Sequence, residues 1–203
     1  MILYDCKPAP NPRRTRIFLA EKGISVPTVQ IDMMKNEHKT PEYTAINPLQ
    51  RMPALVLDDN TVITESLAIC RYFEALQPDP PLFGQGAKEI ALVEMWSRRV
   101  ENNFFATVAA VFRHLHPAMK EFEVPQVPDW AEANKPRVAA FLELLDGELA
   151  TREFIAGDRY SVADITALCT VDFMKPARLT VPEGAANVKR WYASVSARPS
   201  ARA

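Results

Sequence analysis

Cysteine, glycine and long apolar runs are all scarce in this chain of 203 residues. Its three cysteines, Cys6, Cys70 and Cys169, are odd in number, widely scattered and without metal-ligand spacing. They favour reduced thiols in a cytoplasmic protein over a disulfide framework. No apolar run approaches the length needed to span a bilayer, and the first residues lack the basic region and apolar stretch of a secretory signal. We therefore expect a chain that neither enters a membrane nor is secreted.

A surplus of charge of either sign is also missing. The sequence has 24 basic and 25 acidic side chains, which leave a net charge of −1 with histidine neutral. Because nucleic-acid binding needs a basic field, no nucleic-acid partner is expected. His114 and His116 are two residues apart and would not share a helix face, which argues against a metal site.

Proline, by contrast, is frequent, and its densest group marks a boundary. Residues 77–86 contain three prolines and two glycines, a composition that suits a stiff linker. Over residues 1–76, strand and helix signals alternate in the order β-α-β-α-β-β-α, and the first two strands are expected to run parallel. Over residues 87–203, strand signals nearly vanish. The sequence thus predicts an α/β amino-terminal domain and an all-α carboxy-terminal domain.

Capping residues predict where the early helices begin and end. Asn11 and Pro12 are expected to be the N-cap and the first residue of a helix that stops at Gly23. Thr40 followed by Pro41 predicts a second, short helix by the same rule.

In the carboxy-terminal part, apolar periodicity predicts long helices. One is expected over residues 90–115, and another over 130–149, where Pro136 forces a kink or an interruption. Ser161 and Asp164 fit a capping box that begins a further apolar helix, and we assign both residues wholly to structure.

The most informative stretch runs from Met52-Pro53 to Glu65-Ser66. Pro53 precedes a strand-like run, and a turn followed by a second such run predicts a hairpin. Ser66 opens an apolar helix whose free N–H groups and dipole suit a carboxylate, whereas Glu65 suits an ammonium group. Together they can hold both ends of a zwitterionic amino acid.

Along essentially its whole length, the chain resembles the cytosolic glutathione S-transferases. The resemblance implies a thioredoxin-like first domain that binds glutathione as co-substrate, a linker, and a helical second domain, in the order predicted above. Five segments in register carry it: residues 11–17 (NPRRTRI), 37–43 (EHKTPEY), 47–55 (NPLQRMPAL), 64–69 (TESLAI) and 156–165 (AGDRYSVADI).

The resemblance implies a role for each residue of the central motif. Pro53 matches the cis-proline of the family, which turns the backbone of Met52 toward the cysteinyl part of glutathione, as an added strand would. Glu65 and Ser66 match the residues that hold the γ-glutamyl end. A plainer interpretation stays open, in which Pro53 is a strand-edge proline and the other two are ordinary first-turn residues.

Four further residues align with positions at which the family binds the glycine carboxylate of glutathione. They are His38, Lys39, Arg51 and its neighbour Gln50. Cations beside a carboxylate are expected on electrostatic grounds. For His38 and Lys39, a solvated charged loop is nearly as good an interpretation, and Arg51 is the better candidate.

The position that activates the thiol departs from the family pattern. The register places Ala9 where relatives carry Ser, Thr or Cys, and alanine donates no hydrogen bond. Asn11 can donate through its amide and is the catalytic candidate, alongside its possible role as a helix cap. Backbone N–H groups of the same loop rank second. Cys6 ranks last, because a lone cysteine at a strand end is more often a small buried hydrophobe.

Hydrogen bonds and the helix dipole at this position would lower the thiol pKa of glutathione, which is ordinarily about 8.5. The thiolate would then attack an electrophilic carbon or sulfur of a small hydrophobic substrate. The resemblance implies that this substrate lies between the domains, against the first long helix. Its candidate contacts fall on neighbouring helical turns, and some of them are expected to pack inward: Phe104, Phe105, Val108, Phe112 and Arg113.

Two classes of function follow from these observations. The first is an enzyme that conjugates glutathione, reduces peroxides or disulfides with it, cleaves ethers or isomerises. The alternative is a glutathione-binding or protein-interaction member without turnover, which the missing hydroxyl at Ala9 favours. The intact zwitterion motif favours the enzyme. Since most relatives are twofold dimers, a homodimer is also expected.

Overall fold

Alternating short strands and helices build the amino-terminal part of the chain. In a computed structural model, which describes all 203 residues, the order β-α-β-α-β-β-α is confirmed. The 3-10 turns 33–35 and 37–39 lie between β2 and α2. The elements are β1 Ile2–Asp5, α1 Pro10–Lys22, β2 Thr28–Gln30, α2 Pro41–Ile46, β3 Ala54–Val56, β4 Val62–Thr64 and α3 Ser66–Leu76.

The four strands form one mixed, thioredoxin-like sheet in the order β2-β1-β3-β4. β1 runs parallel to β2, as the βαβ rule predicts, and antiparallel to β3, while β3 and β4 form the predicted hairpin. Leu3 and Leu55 face each other across β1 and β3 and are 2% and 0% exposed. Phe18 on α1 and Phe73 on α3 are buried as well. Burial of such apolar side chains stabilises this unit.

The carboxy-terminal part is helical, as predicted. The 90–115 helix starts earlier than expected and passes through a π-helical segment, Val100–Phe105, without a break. The helix around Pro136 is also continuous, so the proline does not interrupt it. No helix is long and apolar enough to cross a membrane. The helices are α4 Gly86–Arg99, α5 Ala106–Leu115, α6 Pro128–Leu149, α7 Val162–Met174 and α8 Ala186–Ser196.

A fully buried carboxylate begins α7. Asp164 closes the predicted capping box with Ser161, accepting from its N–H and its hydroxyl at 2.9 Å each. It also accepts from the N–H of Ile155 and from Nε1 of Trp191, both at 2.9 Å. Four donors on one carboxylate satisfy its buried oxygens.

The chain divides into two units between residues 81 and 82, inside the predicted linker 77–86. The first unit contains residues 1–81 and 199–203, and the second contains residues 82–198. Lys22 explains why residues 77–81 stay with the first unit. Its buried ammonium pairs with Glu74 and donates to the carbonyls of Gln77, Pro78 and Pro80 at 2.7, 3.2 and 2.6 Å. This part of the expected spacer is therefore fastened to α1.

Residues 199–203, which the sequence assigned to the helical domain, also belong to the first unit. Arg13 on α1 donates to the carbonyl of Ala201 at 3.0 Å, and the hydroxyl of Ser200 donates to Glu21. Ser200 and Ala201 are buried. Periodicity could not reveal these contacts, because they join positions almost 200 residues apart.

Candidate functional site

The bend that leads into β3 has the predicted form. The peptide bond between Met52 and Pro53 is cis. The ladder between β1 and β3 ends at the pair Tyr4–Ala54, so the backbone groups of Met52 lie beyond its end. Such groups at the end of a sheet are available to an extended peptide.

The end of the hairpin holds an unusual backbone conformation. Glu65, the residue before α3, has φ 64° and ψ 118°, which side-chain-bearing residues adopt rarely. A conformation of this kind costs roughly 1–3 kcal/mol and is concentrated at functional sites. The side chain of Glu65 is exposed, and the first N–H groups of α3 follow it directly. A carboxylate acceptor for an ammonium group and N–H donors for a carboxylate are thus side by side.

Ser66 is fixed from behind by a residue that sequence reasoning missed. Its hydroxyl oxygen accepts from Nη1 of Arg14 at 2.9 Å, and Arg14 is 1% exposed. The guanidinium supplies positive charge beneath the start of α3. The sequence gave no signal for this role, because α1 contains three other basic residues, Arg13, Arg16 and Lys22, from which Arg14 could not be distinguished.

Lys39 and Arg51 both act electrostatically on His38, and all three were expected at the glycine carboxylate. His38 is buried in the 3-10 turn 37–39, beside the exposed Lys39. Burial lowers the pKa of His38, and the positive charges of Lys39 and Arg51 lower it further. Because Arg51 acts on His38 from a separate loop, the structure brings these predicted residues together. A neutral imidazole between two cations suits an anion.

The loop that carries Arg51 is held by its backbone. The carbonyl oxygen of Arg51 accepts from the hydroxyl of Tyr43 at 2.6 Å and from Nδ2 of Asn47 at 2.8 Å. Gln50 has φ 54° and donates through Nε2 to Thr44 at 3.0 Å. The Gln50 side chain therefore has a partner within the protein. Burial raises the pKa of Tyr43 to about 12, so its hydroxyl stays protonated as a donor.

The start of α1 differs from the prediction. The helix begins at Pro10, with Ala9 as its N-cap, so Asn11 is the second helical residue and not the cap. The predicted cap was wrong because a proline stands one position earlier and already has the helical φ. Gly23 ends the helix with φ 66°, as expected.

Because the helix starts at Pro10, Asn11 lies between two prolines that lack a backbone N–H. Pro10 and Pro12 have no backbone N–H, so Asn11 supplies the only N–H of the first three helical positions. Its Oδ1 is buried and has no hydrogen-bond partner. A buried acceptor without a donor is costly, so this oxygen suits a ligand group that donates a hydrogen bond.

Cys6 lies in a different environment. It is 3% exposed and packs with Tyr43 and Met52, while Ala9 contacts the same cluster. Burial raises the pKa of the Cys6 thiol. A protonated, buried thiol is a poor nucleophile. These properties agree with its last rank among the thiol-activating candidates.

The candidate second-substrate residues occupy two environments within the second unit. Phe104 and Val108 are 0% exposed, and Phe104 stacks on Phe141 with ring centroids 5.2 Å apart. Phe105 and Phe112 are half-buried and contact Phe173 at 6.0 and 5.0 Å between centroids. Arg113 is also half-buried and pairs with Glu123 at 3.1 Å.

The sequence matches two family models, one in each part of the chain. Residues 1–75 match the glutathione S-transferase N-terminal domain, and residues 106–199 match the C-terminal domain. Over its full length the chain is 36% identical to glutathione S-transferase 2 of Saccharomyces cerevisiae, of which it covers 88%.

Two solved structures are similar over nearly the whole fold. Gtt2 from Saccharomyces cerevisiae superposes with a TM-score of 0.94 at 36% identity, covering 100% of this chain and 99% of that one. A glutathione S-transferase domain-containing protein from Marinobacter aquaeolei also has a TM-score of 0.94, at 38% identity, covering 98% and 99%.

Proposed function

Because the chain belongs to the glutathione S-transferase family, a family of enzymes, we propose that it binds glutathione and transfers it to a small electrophile. The binding residues proposed are those of the first unit described above. The observation that carries this proposal is the pairing of Glu65, with its rare backbone conformation, and the N–H groups at the start of α3.

The two ends of glutathione are proposed to bind at opposite ends of this surface. Glu65 accepts from the γ-glutamyl ammonium group, and Ser66 with the first turn of α3 donates to its carboxylate. The backbone of Met52, next to Pro53, pairs with the cysteinyl residue. This places the glutathione sulfur toward the start of α1.

The glycine carboxylate is proposed to bind at His38, Lys39 and Arg51. Two cations supply most of the attraction, and His38 contributes as a neutral hydrogen-bonding group. Gln50 is proposed to act through the shape of its turn, since its amide is held by Thr44.

The thiolate is proposed to be stabilised by Asn11. Both its side-chain amide and its backbone N–H can donate to sulfur, and the positive end of α1 adds to them. The thiol proton leaves to solvent. The sulfur lone pair then forms a bond to the electrophilic carbon or sulfur of the second substrate, while the bond from that atom to its leaving group breaks and the leaving group departs with the electron pair. In the second unit, Phe105, Phe112 and Arg113 are the proposed contacts for that substrate. Phe104 and Val108, buried in the helical core, would support them.

A spectroscopic titration tests the first step directly. Thiolate absorbance of glutathione bound to the wild-type protein should rise at a pH well below the ordinary thiol pKa of about 8.5. Asn11→Ala keeps the backbone N–H and removes the amide, so a smaller shift in this variant assigns the amide a share. An unshifted thiol in the wild-type protein would contradict thiolate stabilisation.

A non-catalytic, glutathione-binding role is the second candidate, favoured by the absent hydroxyl at Ala9. Glutathione affinity chromatography should be followed by assays of chlorodinitrobenzene conjugation, peroxide reduction and thiol exchange. Retention on the column without turnover in any assay would favour the non-catalytic role.

We also propose a cytoplasmic homodimer, as is common in the family. All three cysteines are free, which suits a reducing compartment. Sedimentation at several protein concentrations gives the mass, and a monomer throughout would contradict the proposed dimer.

A further inference from the structure

A buried carboxylate lies directly before the loop that leads to Asn11. Asp5, the last residue of β1, is 0% exposed. Nη1 of Arg16 donates to one of its oxygens at 2.6 Å, and Nε2 of Gln30 donates to the other at 2.5 Å. A buried charge is costly unless it is paired and hydrogen-bonded, and both oxygens of Asp5 have a donor.

The same two side chains also hold the backbone of Lys7. Nη2 of Arg16 donates to the carbonyl of Lys7 at 2.9 Å. The N–H of Lys7 donates to Oε1 of Gln30 at 3.1 Å. Each of these side chains therefore contacts both the buried carboxylate and one backbone group of the loop. The arrangement couples the loop to β1, α1 and the edge strand β2.

The loop itself is closed by a single backbone bond. The N–H of Ala9 donates to the carbonyl of Cys6 at 2.9 Å, which closes a turn with Lys7 and Pro8 at its corners. Pro8 has no N–H to donate, and it restricts the backbone of Lys7, which precedes it. The bonds from Arg16 and Gln30 to Lys7 therefore add to the one bond that the turn makes within itself.

We propose that Asp5, Arg16 and Gln30 form a clamp that sets the position of the loop 6–9, and through it the position of Asn11 against the glutathione sulfur. The inference rests on the proposed function, because it assigns Asn11 a contact with that sulfur. The three residues act through the loop and are positioning residues.

The clamp also balances charge near the thiol. After burial, the negative charge of Asp5 is among the causes that raise the pKa of the nearby Cys6 thiol. Arg16 lies against Asp5 and offsets that charge, which would otherwise oppose the thiolate of glutathione beside the same loop.

Gln30→Ala is the main test, with Thr28→Ala as the matched control. Both residues are exposed on β2, but the Thr28 hydroxyl donates only to the nearby carbonyl of Val26. Amide hydrogen exchange of Lys7 should be at least about tenfold faster in Gln30→Ala than in the wild type or the control, because its acceptor is lost. Unchanged exchange would overturn the clamp, whether or not the protein binds glutathione.

Measurements of the thiol pKa, kcat and KM distinguish a positioning role from a general loss of structure. In Gln30→Ala, the thiol pKa of bound glutathione should rise by about one unit and kcat with chlorodinitrobenzene should fall about tenfold. KM for glutathione should stay within about twofold, since the residues proposed to hold its two ends are untouched. Arg16→Lys should show the same changes, because a lysine ammonium cannot reproduce the two bonds that the planar guanidinium makes to Asp5 and to the carbonyl of Lys7.

Faster exchange of Lys7 with an unchanged thiol pKa and kcat would overturn the positioning role. A wild-type protein that leaves the thiol of glutathione unshifted would overturn the proposed function and the positioning role together, while the exchange result would still decide whether the clamp exists.

Discussion

His38 illustrates how burial and neighbouring charges alter the titration of one side chain. Burial and the two cations Lys39 and Arg51 hold its pKa below the ordinary value of 6.5. At a pH between the lowered pKa and 6.5, His38 binds a proton in the unfolded chain but stays neutral in the folded chain. The free energy of unfolding should therefore fall as the pH drops below 6.5.

Urea unfolding of the wild type and of His38→Gln between about pH 7.5 and pH 5 measures this contribution. His38→Gln should lose less stability on acidification than the wild type, and His116→Gln, altered in the second unit, serves as the control. Equal slopes in the wild type and His38→Gln would contradict the prediction.

Arg51 allows a test of the proposed carboxylate position. Its backbone is fastened by Tyr43 and Asn47, so Arg51→Ala should leave the turn intact. We expect the Kd of glutathione to rise about tenfold, in line with roughly 1.5 kcal/mol for a charge-assisted hydrogen bond. Calorimetric titration gives the value, with the exposed Arg98→Ala as control. A Kd within about twofold of the wild type would remove Arg51 from the proposed site.

At the residue scale, the family resemblance predicted what local chemistry could not. It implied the cis bond before Pro53, and it grouped His38, Lys39 and Arg51, whose charges interact in the structure. Arg14 behind Ser66 could not be foreseen, because it depends on α1 lying beside α3.

The start of α1 is the element whose sequence most constrains the proposed chemistry. Pro12→Ala would restore one N–H at the third helical position. A second donor should lower the thiol pKa of bound glutathione by a few tenths of a unit. The thermal midpoint should fall slightly, because proline restricts the unfolded chain. Thiolate titration and calorimetry measure both changes, and a raised thiol pKa would argue against stabilisation by backbone N–H groups.

The beginning of α7 depends on a single carboxylate. Asp164→Ala would leave the donors of Ser161, Ile155 and Trp191 without their acceptor in a buried place. We expect the free energy of unfolding to drop by about 3–5 kcal/mol in urea denaturation. Asp158→Asn, an exposed change in the same segment, is the control and should change it by less than about 0.5 kcal/mol.

Element types were predictable because periodicity and capping act over a few residues. Thr40 caps α2 and Ser161 caps α7, as the sequence indicated. The early start of α1 was missed because two prolines compete for the first helical position. The continuity of α6 through Pro136 is a tertiary outcome, in which packing on the neighbouring α5 outweighs one lost hydrogen bond.

At the scale of the whole molecule, the unexpected feature is that residues 199–203 belong to the first unit, and a shortened chain tests what their contacts contribute. Ending the chain after Arg198 removes Ser200 and Ala201 from α1. We expect the free energy of unfolding to fall by about 1–2 kcal/mol, from lost burial and lost hydrogen bonds. Chemical denaturation followed by far-ultraviolet circular dichroism measures it. Arg202→Ala, at an exposed position, should have little effect. An unchanged midpoint in the shortened chain would show that these contacts add no stability.

The division into units has a topological consequence. The first unit is built from two separate runs, 1–81 and 199–203, and the run 82–198 interrupts them. The helical unit is thus an insertion in the covalent path of the first unit, with a covalent joint at each of its ends. After a single proteolytic cut near residue 81, residues 199–203 would remain covalently attached to the helical unit and would contact the rest of the first unit only through non-covalent bonds. Only the helical unit can be excised as one continuous polypeptide.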